Sequence, residues 1–280
     1  MIVSDALAAL AAGNPGQAKD ILRQPAPDQP LLAAALATYL DGDASDSVYD
    51  QPAAFTAFIR GGGNVPLYEL VSAALAEQYR LHKPASIVDI GCGDGMALVP
   101  ALAEDPSFQP SVTLVEPSAA LLETAVARLD RTPTVVPATA RAFVDSLDTR
   151  YGLAESTFAL HTMPHDERSA VLAALRPHID RIAVVEFDVQ DQTPEARRDL
   201  LAETYERGLA EYDTDRDLVA QGFLMPVLAG QLAPGAVRST WEQPASAWVE
   251  QLTECGYQDV SAETLYDYWA APAFLLTARA

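Results

Sequence analysis

From Ser86 onward the chain repeats one pattern, a short run of β-branched and other apolar residues followed by a stretch with helical spacing. The runs are SIVDIG, SVTLVEPS, TPTVVPA, STFALHTM and RIAVVEFDV, beginning at Ser86, Ser111, Thr132, Ser156 and Arg181. None alternates polar with apolar residues, so each is expected to be buried on both faces, as in a parallel sheet covered by helices on either side. Two more strands, within YQDVSAETLYDYW and AFLLTARA, are separated by the Pro-containing turn in WAAPAFLL and read as a hairpin. The expectation is an α/β fold with a seven-stranded, mostly parallel sheet and an antiparallel C-terminal hairpin.

Helical segments lie before and within this pattern. DALAALAAG and PGQAKDILRQ read as short helices split at Gly13–Pro15, and PLLAAALATYL as a third. DQPAAFTAFIR begins a fourth, with Asp50 as its cap and Pro52 near its start. Gly61, Gly62 and Gly63 follow, read either as a simple helix break or as a hinge. The long amphipathic VPLYELVSAALAEQYR then runs to Lys83–Pro84. Between the fifth strand and the C-terminal helix PASAWVEQLTECG, residues 192–232 again read as helices. The expected division is an N-terminal helical cap or lid, 1–83, and a sheet domain, 84–280, that carries the insertion 192–232.

Residues 87–99, IVDIGCGDGMALV, join the first strand to the first helix of the alternation through a glycine-rich loop. The dinucleotide fingerprint needs a third small residue where this loop has Met96. A Walker loop needs a Gly-Lys-Ser/Thr sequence, and the loop holds no lysine. What remains is Asp89 with Gly91, Gly93 and Gly95, bare backbone that admits a ligand without cradling a phosphate. Asp89 offers a carboxylate to a cationic amine. Glu116, at the end of the next strand, can accept hydrogen bonds from both hydroxyls of a ribose. An amino acid joined to a nucleoside without phosphate is S-adenosylmethionine (SAM).

VDIGCGDG followed by VTLVEPS resembles the first two motifs of class I SAM-dependent methyltransferases, including bacterial enzymes of natural-product metabolism. The resemblance covers residues 84–190 and 233–280 and implies a Rossmann-like fold. It implies that Gly91, Cys92, Gly93 and Gly95 line the methionine part of SAM, with Asp89 near its amino group and Glu116 on the ribose. Pro117 and Ser118 would flank the adenine. Thr139, Ala140 and Arg141 stand where family members often carry an acidic residue for the adenine amine. Leu160 and His161, from FALHTM, would lie beside SAM, with S-adenosylhomocysteine (SAH) as the product.

Methyl transfer from a sulfonium needs alignment and exclusion of water, and a base only when the acceptor must lose a proton. His161, Glu186 and Tyr68 are the candidates for catalysis. A histidine titrating near neutrality suits a phenol, amine or indole, although one hydrogen-bonded at a strand end has a purely structural use. Glu186 would orient a donor group on the substrate or pair with an arginine. Tyr68, in FTAFIRGGGNVPLYE, would touch sulfonium or substrate. Phe58, Tyr68, Phe223, Met225 and Trp241 are the candidate substrate-pocket residues. Glu186, Asp188 and Asp191 in EFDVQD put only two carboxylates on one strand face, so no metal is expected.

The formal net charge of −21, from 39 acidic and 18 basic residues, disfavours a nucleic-acid partner. No apolar run approaches the length of a membrane span. The N-terminus lacks a basic region and carries Asp5, which does not fit a signal peptide. Two cysteines, Cys92 and Cys255, fit a reducing cytoplasm. LHTMPH differs from the Pro-Pro-aromatic motif of enzymes that methylate adenine or glutamine amides, so a small molecule is the expected acceptor. The expectation is methylation of an aromatic or heterocyclic metabolite, with indole-type carbon methylation in natural-product biosynthesis as one form. Methylation of oxygen or nitrogen, and a catalytically silent SAM-binding regulator or assembly protein, stay open, as does a homodimer.

Overall fold

The computed structural model describes residues 2–42 and 52–280, so Asp50, the expected cap of the fourth helix, lies outside the described residues. In chain order the elements are α1 (Ile2–Ala11), α2 (Pro15–Leu22), α3 (Pro30–Asp41), α4 (Pro52–Ile59) and α5 (Asn64–His82). The alternation follows as β1 (Ser86–Ile90), α6 (Leu98–Ala103), β2 (Ser111–Val115), α7 (Ala119–Arg128), β3 (Thr134–Val136) and α8 (Ala140–Asp145). It continues with β4 (Tyr151–Thr157), α9 (His165–Leu175) and β5 (Ile179–Phe187). Helices α10 (Pro194–Ala210), α11 (Arg216–Val219) and α12 (Met225–Leu232) form the insertion, and α13 (Ala245–Glu254), β6 (Gln258–Tyr266) and β7 (Ala273–Arg279) complete the chain. No helix among the described residues is long and apolar enough to cross a membrane.

The contacts divide the chain into two units. One holds the described residues up to Val65 together with Asp191–Arg238 and Tyr268–Ala271; the other holds Pro66–Gln190, Ser239–Asp267 and Pro272–Ala280.

The first unit is helical. Its α3 starts without a capping side chain of its own, and Glu206 of α10 takes that part by accepting from the N–H groups of Leu31 and Leu32 at 3.1 and 2.7 Å. A carboxylate there satisfies two of the helix's unpaired donors and meets the positive end of its dipole. The three consecutive glycines are tightly enclosed. A Cβ on Gly62 would lie 2.8 Å from the Tyr212 ring and one on Gly63 2.4 Å from the Glu211 carboxylate. Gly63 also donates its N–H to Glu211 at 2.7 Å, so this segment is packed against the end of α10. Between α11 and α12 the helix widens into one π turn, Ala220–Leu224, just before Pro226, which has no N–H to continue the regular ladder.

The second unit carries the sheet, in the order β3-β2-β1-β4-β5-β7-β6. Strands β1 to β5 pair in parallel, and β7 runs antiparallel to both β5 and β6. Apart from the edge strand β3, whose Val135 is exposed, the apolar runs fill both faces: Ile87, Val88, Leu114, Val115, Leu153 and Val184 are essentially inaccessible to solvent. One strand is displaced from its expected place. The fourth strand ends at Thr157 and starts at Tyr151, whereas FALHTM leaves the sheet and turns through a 3-10 segment at Leu160–Thr162. Phe158 stops the strand, because its φ of +51° cannot continue an extended chain. Glu155, a carboxylate in the middle of the true strand, hid it from a reading based on apolar runs.

Candidate active site

The loop after β1 places its three glycines in the left-handed region, at φ +73°, +53° and +78° for Gly91, Gly93 and Gly95. Each has a separate reason to lack a side chain. A Cβ on Gly91 would lie 2.4 Å from the Cβ of Ala159, and one on Gly95 would lie 2.9 Å from Val99 and 3.5 Å from Ala125. A Cβ on Gly93 would meet nothing within 4 Å, so this is the glycine whose bare side is open. Gly91 and Cys92 both donate to the carbonyl of Val115, at 2.8 and 3.3 Å, which ties the loop to the end of β2. Asp94 pairs with Arg128 of α7 at 2.9 Å and fixes the loop's outer edge.

A cavity of about 610 Å³ opens beyond the carboxyl ends of the strands, where open α/β sheets bind ligands. Its lining includes Asp89, Gly91, Cys92, Gly93, Glu116, Pro117, Thr139, Ala140, Arg141, Leu160 and Tyr68. Gly95 and His161 are not among the lining residues; Gly95 faces Val99 and Ala125 in the packing of the loop. The carboxylate of Glu116 accepts from the N–H of Gly93 at 3.3 Å and of Ser118 at 3.0 Å. With about four lone-pair directions on two oxygens, it retains capacity for hydroxyl donors. Thr139 caps α8 through its hydroxyl, which accepts from Ala142 at 3.2 Å, and Ser118 caps α7 through Leu121.

Asp89 is only 4% exposed, and its Oδ1 has no hydrogen-bond partner. Burial, and then the neighbouring charge of Glu116, push its carboxyl up to about 7. A buried carboxylate without a donor is costly. A cation brought against it would relieve that cost. Burial, followed by the charges of Asp89 and Glu116, pushes the Cys92 thiol far up, so it contacts the cavity as a neutral group.

The chain leaves β4 through Phe158, which lines the cavity and which the sequence alone did not single out. Its strained φ is accompanied by a stack on Phe187 at 4.4 Å and 11° and by the edge of Tyr68 at 6.0 Å and 83°. A non-glycine residue in this conformation costs roughly 1–2 kcal/mol and marks a position held for a purpose.

Structure brings His161 and Glu186 together. The Nδ1 of His161 lies 2.7 Å from Glu186 Oε2, and the His161 N–H donates to Glu186 Oε1 at 3.1 Å. Glu186 is 1% exposed and both of its oxygens serve His161, so its partner is this histidine and not an arginine. Burial alone would lower the imidazole, but the charge and hydrogen bond of Glu186, with Glu242 adding to them, outweigh it and raise the pKa of His161. Trp241 joins the same network by donating its N–H to the carbonyl of His161 at 2.6 Å. Asp188 is occupied otherwise, its Oδ1 accepting from Ala245 at the start of α13 at 2.8 Å. Among the described residues no group of three or more His, Cys, Asp or Glu side chains is placed to hold a metal ion.

Phe58 and Phe223 lie in the helical unit, with ring centroids 4.3 Å apart and Phe55 and Tyr212 beside them. Met225 is fully buried in that unit's core. These three residues belong to the helical unit, and the residues lining the cavity belong to the sheet unit.

No protein-family model matches the chain, and no match was found among curated proteins. Solved structures do resemble it. Magnesium protoporphyrin IX methyltransferase (ChlM) from Synechocystis PCC 6803 with bound SAH aligns over 82% of this chain and 96% of its own, at 14% identity and a TM-score of 0.54. The plantazolicin methyltransferase BpumL in complex with SAH aligns over 96% and 98%, at 13% identity and a TM-score of 0.54. The mitomycin 7-O-methyltransferase MmcR aligns over 98% and 75%, at 19% identity and a TM-score of 0.51. These likenesses establish the fold, which is the one that class I SAM-dependent methyltransferases adopt.

Proposed function

We propose that this chain is a SAM-dependent methyltransferase acting on a small aromatic or heterocyclic molecule. The observation that carries the reading is the convergence of Asp89, open Gly93 and Glu116 on one cavity of about 610 Å³, with the start of α8 in its lining. Asp89 would meet the ammonium of the methionine moiety, Gly93 would let it lie against backbone, and Glu116 would hold the ribose. SAM supplies an activated methyl group. The chain's own residues bind and orient, and Tyr68 and Phe158, which line the cavity with Phe187 stacked behind Phe158, would offer ring surface to a planar acceptor. ChlM and BpumL are methyltransferases and MmcR is an O-methyltransferase, which supports the class.

Calorimetric titration with SAM and SAH tests the donor site. Mass spectrometry after incubation with SAM and a panel of phenols, indoles and aromatic amines tests turnover and assigns carbon, oxygen or nitrogen as the acceptor atom. SAM binding without any product would support the silent regulator instead. NAD binding in place of SAM would overturn the reading.

Glu116→Ala is expected to weaken SAH binding at least tenfold, about 1.4 kcal/mol, because the variant loses both the ribose acceptor and the anchor of the Gly93 N–H. Unchanged affinity in the same titration would remove Glu116 from the ribose.

When the acceptor must lose a proton, His161 is the proposed base, oriented by Glu186. Glu186→Gln is expected to lower the His161 pKa, read directly by histidine NMR titration. The raised imidazolium adds stability that is present in full below the unfolded value, about 6.5, and is lost as pH rises through the higher folded value. The wild type should therefore exceed Glu186→Gln in stability most in mild acid, with the gap narrowing above neutrality. A gap that widens with pH would refute the pairing.

A further inference from the structure

Behind the cavity lies a second buried acid that the proposed chemistry does not use. Glu155 of β4 pairs in register with Asp89 of β1 in the parallel sheet, so the two side chains leave the same face from adjacent strands. Strand spacing of about 4.8 Å makes them direct neighbours. Glu155 is 1% exposed, and Tyr79 of α5 places its hydroxyl 2.9 and 2.7 Å from the two carboxyl oxygens. Asp89 has an unpartnered Oδ1 and faces the cavity.

Besides burial, the groups that shift the pair are Glu116 from the end of β2, which raises Asp89, and the Tyr79 hydroxyl from α5, which lowers Glu155 but does not outweigh its burial. Two neighbouring carboxyls in such a setting do not both ionise. Burial and the charge of Asp89 raise Glu155 well above the carboxylate range, whereas Asp89 at about 7 stays within reach of neutral solution.

We propose that Glu155 is a positioning residue for the donor's ammonium: it keeps its own proton at neutral pH and supports an Asp89 that gives one up as the cation arrives. This rests on the SAM reading above. Binding is then coupled to proton release. The proton leaves Asp89 for solvent, and the ammonium takes its place as counter-charge.

The test is SAH calorimetry in buffers of differing ionisation enthalpy. At pH 6, close to one proton per SAH should be released. Release should decline above pH 7, and affinity should rise by up to about tenfold per pH unit on the acid side. 5′-Methylthioadenosine, which lacks the amino acid part, should bind without proton release.

Glu155→Gln should preserve fold, affinity and proton release, because a neutral amide replaces a neutral acid, and should remove a protonated-carboxyl band from the infrared spectrum at pH 7. Glu155→Leu should move the affinity profile up by about one pH unit, with about fivefold weaker binding at pH 7 that recovers toward pH 8. A merely structural Glu155 would leave that profile in place. SAH binding with no proton release at pH 6, or a Glu155→Gln variant with a shifted profile, overturns this inference and leaves the donor site standing. Failure to bind SAH at any pH overturns the donor site itself.

Discussion

Gly91→Ala is expected to destabilise the sheet unit by roughly 2–5 kcal/mol, the sum of a left-handed backbone penalty of 1–2 and an overpacking cost of 1–3. The geometry behind this estimate is severe. The added Cβ would stand 2.4 Å from the Cβ of Ala159, and neither atom can rotate away because both are fixed to backbone. Either the loop or the turn after β4 must shift, and both line the cavity. Gly93→Ala makes the comparison decisive. Its φ of +53° carries the same backbone penalty, but its Cβ would point into open space. Chemical denaturation should therefore separate the two variants, with Gly91→Ala clearly the less stable. Calorimetry should show that Gly93→Ala loses SAH affinity beyond its modest loss of stability. Equal stabilities for the two variants would refute the close approach of Gly91 to Ala159.

Arg168→Ala is expected to cost roughly 3–5 kcal/mol, from a large buried volume removed and charged hydrogen bonds lost. Arg168 is fully inaccessible to solvent in α9. Its guanidinium lies 3.9 Å over the Trp248 ring, and it donates to Gln251 at 2.8 Å and to the Trp241 carbonyl at 2.9 Å. Removal takes one of two donors from Gln251 Oε1, which Gln243 also serves at 3.0 Å, takes the guanidinium from the Trp241 carbonyl and opens a hole beside Trp248. Arg168→Lys should rescue little, since an ammonium neither stacks flat on indole nor reaches both acceptors in one plane. The loss should extend to the catalytic side. Arg168 holds Trp241, and Trp241 holds the His161 carbonyl, so the His161 titration should move in Arg168→Lys even where the fold persists. An Arg168→Ala protein within about 1 kcal/mol of wild type in denaturant titration would show that the guanidinium is dispensable.

Much of the proposed donor site was legible in the chain. Asp89, the glycine loop and Glu116 are separated by short stretches whose lengths are set by strand and turn geometry, so their convergence follows from sequence order. Partners of the other candidates were not legible. Glu186 reads equally well as a residue awaiting an arginine, and only the pairing of β4 with β5 brings His161 within 2.7 Å of it. FALHTM reads as a strand because it is apolar, yet the left-handed Phe158 ends the sheet before it. The separate constraints on Gly91 and Gly95 were also hidden, because they depend on Ala159 and Ala125, residues that only folding places beside the loop.

By itself the sequence determined the alternation of strands and helices, the hairpin at its end and the loop suited to a nucleoside without phosphate, since these depend on local periodicity and on which residues tolerate bare backbone. Tertiary structure alone decided which buried charges meet. It set Glu155 beside Asp89, Glu186 against His161 and Arg168 over Trp248, because the energy of a buried polar group depends on neighbours far away in the chain.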